Sequence, residues 1–375
     1  MHKRKAKTIQ TIRRIVLISF IVFMTWQAYM HQVKGGAHDG AASVHALCPY
    51  GGLESLYSLV TEGSFVSKIY LGTFALFLIT VVLAIVLRRG FCGWICPFGG
   101  IQELFGLLGK KIFGKQLMMP GSADRPLRYL KYGVLVLTAG AAWITGSLWM
   151  SPYDPWAAYA HLGEGIPALL IEYRVGFIIL IVSVAGSLLY DRFFCKYLCP
   201  MGAFLGILSK LSPHRIVRNR DVCIDCGLCG KVCPVNIPVD QLDRATTAEC
   251  IECQLCTVSC PKEGALENRM GKRIVRPLVV GIIVLAVYFG GIGIARATGT
   301  YRLLPEPIAV GEIIPAEELR GFMTLREIAD YRGLSLEEVY QRMEIPAEIP
   351  GSTQAKALAD KIPGFSFDEA REKLE

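Results

Sequence analysis

Cys223-Ile224-Asp225-Cys226-Gly227-Leu228-Cys229-Gly230-Lys231-Val232-Cys233-Pro234 is followed by Cys250-Ile251-Glu252-Cys253-Gln254-Leu255-Cys256-Thr257-Val258-Ser259-Cys260-Pro261. Both runs keep one spacing: three cysteines two residues apart, a fourth three residues on, then proline. A [4Fe–4S] cube needs four thiolates converging on one point, and a tight loop of three plus a remote fourth supplies them. In two-cluster arrangements of this spacing the fourth cysteine of each run serves the other cluster. The pattern therefore predicts one cluster on Cys223, Cys226, Cys229 and Cys260, and a second on Cys250, Cys253, Cys256 and Cys233. They would lie in a bacterial-type α+β 2[4Fe–4S] ferredoxin module over residues 213–273. Structural zinc also takes four thiolates, but the doubled rhythm argues against it.

Outward from these runs the chain reads as an α-helical integral membrane protein. Of its 375 residues 52% are hydrophobic and 19% charged, and the mean hydropathy is +0.40. Crossing a bilayer takes about 20 apolar residues as helix, and five stretches qualify as expected spans: 15–30, 69–87, 132–150, 174–190 and 277–295. The domains expected are a basic arm (1–14), a four-span core (15–212), the inserted ferredoxin module (213–273), a fifth transmembrane helix (274–296) and a small all-α, acidic extracytoplasmic tail (297–375). In that tail Thr324-x-x-Glu327, Ser335-x-x-Glu338 and Ser366-x-x-Glu369 match the capping-box pattern that starts helices.

Orientation follows from Lys and Arg near the spans. Lys3, Arg4, Lys5, Lys7, Arg13 and Arg14 place the N-terminus in the cytoplasm, and the basic loops 88–131 and 191–276 follow on the same side. A cleaved signal peptide over 1–30 is the rival reading, and it would leave the later orientation unchanged. Trp149, Tyr153, Trp156 and Tyr159 read as an interfacial aromatic belt. Residues 300–375 carry a net charge of −6 and the rest +14, a division that suits basic loops meeting anionic lipid headgroups. No motif supports nucleic-acid binding. Clusters on the cytoplasmic side of an inner membrane face a compartment where thiols stay reduced.

The membrane core repeats itself. Arg89-x-Phe91-Cys92-x3-Cys96-Pro97-x-Gly99 returns as Arg192-x-Phe194-Cys195-x3-Cys199-Pro200-x-Gly202, and Cys48-Pro49-Tyr50 as Ser151-Pro152-Tyr153. Two copies of a helix-pair unit, related by a twofold axis along the membrane normal, would bring the thiol motifs together. Proline suits the first turn of a helix, so Pro97 is read as opening a short helix through about Leu108, with Cys96 capping it. The helix dipole and Arg88 and Arg89 should then lower the thiol pKa. Cys199 and Pro200 repeat the pattern. Three readings stay open for Cys92, Cys96, Cys195 and Cys199: an additional iron–sulfur or metal centre, redox-active dithiols, or packed inert thiols. Cys48 stands alone, either structural or bonded to a partner.

Absences narrow the chemistry. No histidine lies at a span centre and no Cys-x-x-Cys-His occurs, which argues against haem, and there is no Walker loop. Asp154, Tyr159, His161 and Glu164, at the outer corner, are candidates for a quinol site.

Two Cys-x3-Cys-Pro motifs at the cytoplasmic ends of helices, followed by a double 4Fe–4S module, resemble the NapH/NosR/CcoG group of polyferredoxin-like membrane proteins, and within it the NapH-type quinol dehydrogenase membrane components. The likeness covers about residues 10–275. Two features depart from it: no extracytoplasmic flavin-binding domain precedes the first span, as in NosR-type members, and a fifth span with an acidic tail is added. The resemblance implies an electron-transfer subunit of an oxidoreductase, relaying electrons between the quinone pool or a cytoplasmic donor and an extracytoplasmic redox protein or reductase complex. Redox sensing or metal-centre assembly, where CcoG-type relatives fall, and metal-ion reduction on the thiol pairs are the alternatives.

Overall fold

The computed structural model describes residues 2–36, 40–66, 68–114, 117–305, 313–316, 319, 321, 323–358, 361–362 and 365–374. Its chain divides into two compact units, Met1–Gln32 with Ala42–Leu303, and Val33–Ala41 with Leu304–Glu375.

Helices occupy each of the five apolar stretches of the first unit, with unequal reach. Thr8–Lys34, within the longer helix His2–Lys34, and Pro277–Ala297 are long and apolar enough to cross a membrane. Leu71–Leu87 and Arg174–Leu189 are apolar but have 17 and 16 residues, short of the usual span. The third stretch differs from expectation. Its helix, Gly121–Thr145, spends its first half on Asp124, Arg125, Arg128 and Lys131, then stops at Gly146, whose φ of 60° only glycine adopts at little cost. The apolar part is therefore shorter than 132–150. Val22, Trp26, Ile282, Phe289 and Ile294 stay exposed on the two long helices, the apolar surface expected of a membrane-associated protein.

The helices that follow the thiol motifs cross between the repeated segments. Pro97–Phe113, five residues longer than expected, packs on Arg174–Leu189. Pro200–Leu208 packs on Leu71–Leu87 and on Gly121–Thr145. At Gly109 the first crossing is so close that a Cβ would stand 1.8 Å from the Leu188 carbonyl oxygen. The cysteine-rich segment forms a four-stranded antiparallel sheet ordered β2-β1-β3-β4, from β1 (His214–Arg218), β2 (Arg244–Ala245), β3 (Leu266–Met270) and β4 (Arg273–Val275). It does not separate from the helices: its buried Ile216, Val235, Ile237 and Ile251 share one core with Leu83, Leu87, Phe91 and Trp94.

In the second unit Thr324 with Glu327, and Ser335 with Glu338, form reciprocal capping boxes on Leu325–Arg332 and Leu336–Arg342. The third expected box fails, because Ser366 makes no side-chain cap bond on Phe367–Glu372. Replacing Thr324 or Ser335 by alanine should each cost about 1 kcal/mol, read as faster amide exchange of its own helix. Ser366→Ala should leave exchange unchanged.

Candidate iron–sulfur sites and the thiol pairs beside them

The two runs share a backbone form that aims their sulfurs inward. Asp225 and Gly227 in the first, Glu252 and Gln254 in the second, all have φ between 53° and 67° at matching positions. Left-handed residues other than glycine are uncommon, and here they curl each loop round a space. Cys223, Cys226, Cys229 and Cys260 line one cavity of about 380 Å³, its open mouth included. Cys250, Cys253, Cys256 and Cys233 line a second of about 350 Å³. Each set thus draws its fourth thiol from the other run. Among the described residues no three His, Cys, Asp or Glu side chains close tightly enough to hold a lone metal ion. Four sulfurs round a larger space fit an iron–sulfur cluster, as do the donors aimed at them. Arg218 Nε lies 3.3 Å from Cys223 Sγ, and the Ile237 N–H lies 3.4 Å from Cys233 Sγ.

The two sites differ in burial. Cys226 is exposed and Ile224 beside it is half-exposed, so the first site opens to solvent. Cys250, Cys253 and Cys256 are buried, because the second loop lies against the helices of the first unit. Trp94 Nε1 donates to the Glu252 carbonyl at 2.8 Å, and Gln10 Nε2 to the Cys253 carbonyl at 3.0 Å. Arg88 lies 3.7 Å and His214 3.2 Å from the Glu252 carboxylate. Arg89 and Lys131 share Glu249. Burial pushes the Glu249 carboxyl up, but these cations and Arg128 outweigh it and hold it below the usual carboxylate range.

Next to this inner site the four remaining paired thiols come together. Cys96 and Cys199 cap their helices, each sulfur accepting an N–H bond, from Gly99 at 3.5 Å and Gly202 at 3.3 Å. Arg192 donates to the Cys92 carbonyl at 2.7 Å, and Arg89 lies 3.4 Å from the Cys195 carbonyl, so each motif's arginine reaches the other motif's first cysteine. Glycine at 99 and 202 leaves room for these guanidiniums: a Cβ would come within 2.7 Å of Arg192 or 2.6 Å of Arg89. A buried carboxylate, Glu103, takes Arg13 on one side and Arg192 at 2.8 Å on the other. The expected lowering of thiol pKa does not occur. Burial raises Cys96, Cys195 and Cys199 above the ordinary thiol value, and neighbouring sulfurs add to it, outweighing the helix termini and arginines.

At the outer corner the four polar residues find nearby partners. His161 Nδ1 lies 3.0 Å from Glu164 and its ring stacks on Tyr173, while Tyr159 bonds Thr25 at 2.7 Å and Asp154 caps Trp156 N–H. Each of these polar groups makes a local contact. Burial brings the Asp154 carboxyl up to about 6 and the Cys48 thiol to about 12. The aromatic belt is split. Trp149 and Tyr153 stack with Trp149 exposed, whereas Trp156 is buried on Tyr159 and Phe98. Sequence reasoning missed Gln10, Trp94, Gln102, Glu103, Glu249, Glu252 and His214. The available signal was polar residues in apolar surroundings, as with Gln102-Glu103 inside Pro97–Phe113.

Four-thiol sites of this kind, joined to apolar helices, define a membrane-associated iron–sulfur electron-transfer protein. A 4Fe-4S binding domain model matches residues 71–116 and again 175–219, and a second model of the same description matches 216–239. YccM of Escherichia coli K12, described as a candidate electron transport protein, is 31% identical over 82% of this chain and 91% of its own length. The ferredoxin-type protein NapH of Haemophilus influenzae is 27% identical over 42% of this chain and 51% of its own. The regulatory protein NosR of Pseudomonas aeruginosa is 28% identical over 43% and 22%. The chain belongs to the NapH/NosR-type family of membrane-associated 4Fe-4S ferredoxin-type proteins. No solved structure matches it.

Proposed function

We propose that this protein is a multi-span subunit that carries electrons between an exposed ferredoxin site and a partner reached through the membrane core. The carrying observation is the graded burial of two thiol sets, the outer open to solvent and the inner wedged between the outer set and the Cys-x3-Cys-Pro motifs. In this reading Cys223, Cys226, Cys229 and Cys260 hold the outer [4Fe–4S] cluster, and Cys250, Cys253, Cys256 and Cys233 the inner one. One-electron uptake and release is the chemistry these groups supply when bound. The chain's own residues set the order: Ile224 and Cys226 leave the outer site approachable, while Trp94, Gln10 and Arg88 seal the inner one from water.

Five spans arranged as duplicated helix pairs, with the ferredoxin face cytoplasmic and the acidic unit outside, follow from the positive-inside pattern and are supported by the reciprocal arginine contacts. The family names NapH and NosR support a redox partner, and a quinone is a membrane-soluble carrier suited to link it to the clusters. Reduction of the purified protein by a quinol analogue, followed by cluster absorbance, tests the relay. Reduction within catalytic turnover times is expected, and failure to exchange electrons with quinone in either direction would favour the assembly or sensing reading.

We further propose that Cys92, Cys96, Cys195 and Cys199 hold an additional iron–sulfur centre. Arg13 and Arg192 share Glu103, while Arg89 and Lys131 share Glu249 with Arg128, which also pairs with Asp124, so in each group the cations exceed the carboxylates by one. A doubly charged iron–sulfur cluster core on four thiolates would carry about two negative charges and balance the excess that bare thiols leave uncompensated.

A further inference from the structure

The geometry points to Gln102 as a positioning residue that makes the two halves of the four-thiol site unequal by donating a hydrogen bond to the Cys195 sulfur. This rests on the additional centre proposed above. Gln102 is fully buried, and its amide can face only one way. Oε1 accepts from the backbone N–H groups of Phe194 at 3.0 Å and Cys195 at 3.3 Å. Nε2 is then turned onto Cys195 Sγ at 3.2 Å, with the Phe98 carbonyl at 3.4 Å. Flipping the amide would set the oxygen against a carbonyl and leave two backbone donors unpaired, a loss of more than a hydrogen bond. The sulfur of Cys195 is therefore held as an acceptor, the role of an electron-rich metal ligand.

The repeat supplies an internal control. The position matching Gln102, 103 residues on, is Leu205, which is also fully buried and has no donor to offer. Among the described residues no donor to the Cys92 sulfur is found, whereas Cys96, Cys195 and Cys199 each accept an N–H. Hydrogen bonds to ligand sulfurs stabilise the more negative, reduced state and raise the reduction potential. Gln102 thus favours electron arrival on the Cys195 side, which belongs to the second repeated segment.

The test combines iron content with redox titration of the full chain in detergent. Serine at Cys92, Cys96, Cys195 and Cys199 together should remove iron and one spectroscopic signal, leaving about eight irons from two cubic clusters. Gln102→Leu, which copies the other half, and Gln102→Met should keep the full native iron content and shift that signal's reduction equilibrium at least tenfold against reduction, about 59 mV for one electron. Iron lost in the serine variant with an unmoved or raised potential in both Gln102 variants overturns the role of Gln102 while the centre stands. Iron unchanged in the serine variant overturns the centre itself, and the present inference with it.

Discussion

Glu103→Gln should be among the most damaging single substitutions in the molecule. The carboxylate is the shared counter-charge of Arg13 and Arg192, both wholly buried. Glutamine keeps the volume and removes the charge, leaving two guanidiniums in a low-dielectric interior without the carboxylate they share. Breaking a buried pair this way costs about 3–5 kcal/mol, a fall on the order of 10 °C in the thermal midpoint in detergent. Arg13→Met should cost less, because it leaves Glu103 and Arg192 as a one-to-one pair.

The effect has a defined pH window. Burial raises the Glu103 carboxyl, but Arg13 and Arg192 reverse that and hold it at about 2, below its unperturbed value near 4.5. A carboxyl whose folded pKa is depressed contributes stability that is complete above the unfolded value and is lost as the pH falls through the folded one. The difference between the native protein and Glu103→Gln should therefore be constant from pH 7 to 5 and shrink only below about 4.5. A difference that grew on acidification would show that Glu103 is not the ionised partner of Arg13 and Arg192.

Gly93→Ala should empty the inner site. A Cβ at 93 would stand 2.0 Å from the Ile251 carbonyl oxygen and 3.1 Å from its carbon, backbone atoms that no rotamer change can move. The loop bearing Cys250 and Cys253 must lift away, and the Trp94 bond to Glu252 goes with it. About four of the irons should be lost, from the buried site only. Gly90→Ala is the control within the same short helix, since its Cβ would meet the flexible Val284 side chain at 3.1 Å and should leave the iron content near native. Equal losses in the two variants would show that the helix, and not the contact with Ile251, is what matters.

How far the sequence could be read depends on the range of each interaction. The eight-cysteine pattern was legible because three of every four ligand positions lie in one loop, where spacing alone fixes direction. Capping by Cys96 and Cys199 was legible for a similar reason: proline marks the first helical turn locally. The inequality of the two sites was not. It comes from Trp94 on Glu252 and Arg89 on Glu249, contacts spanning about 160 positions of chain, and no periodicity encodes them. The expectation for thiol acidity erred because nearby arginines and dipoles are visible in sequence, whereas the desolvation that outweighs them is not. Trp156 was misplaced likewise, since a tryptophan near a span end reads as interfacial until Phe98 is found against it.

Electrons should meet the outer site first, and each site should borrow its fourth thiol from the other run. The most direct test is the rate at which a soluble reductant reaches the cluster that survives in Cys260→Ser and in Cys233→Ser. Each variant should retain about four irons in its surviving ferredoxin cluster. In Cys260→Ser the survivor should be the buried cluster, reduced slowly by dithionite; in Cys233→Ser it should be the exposed one, reduced fast. The opposite order, with Cys260→Ser keeping the fast cluster, would mean that each run ligates its own site and that no thiol is exchanged between them.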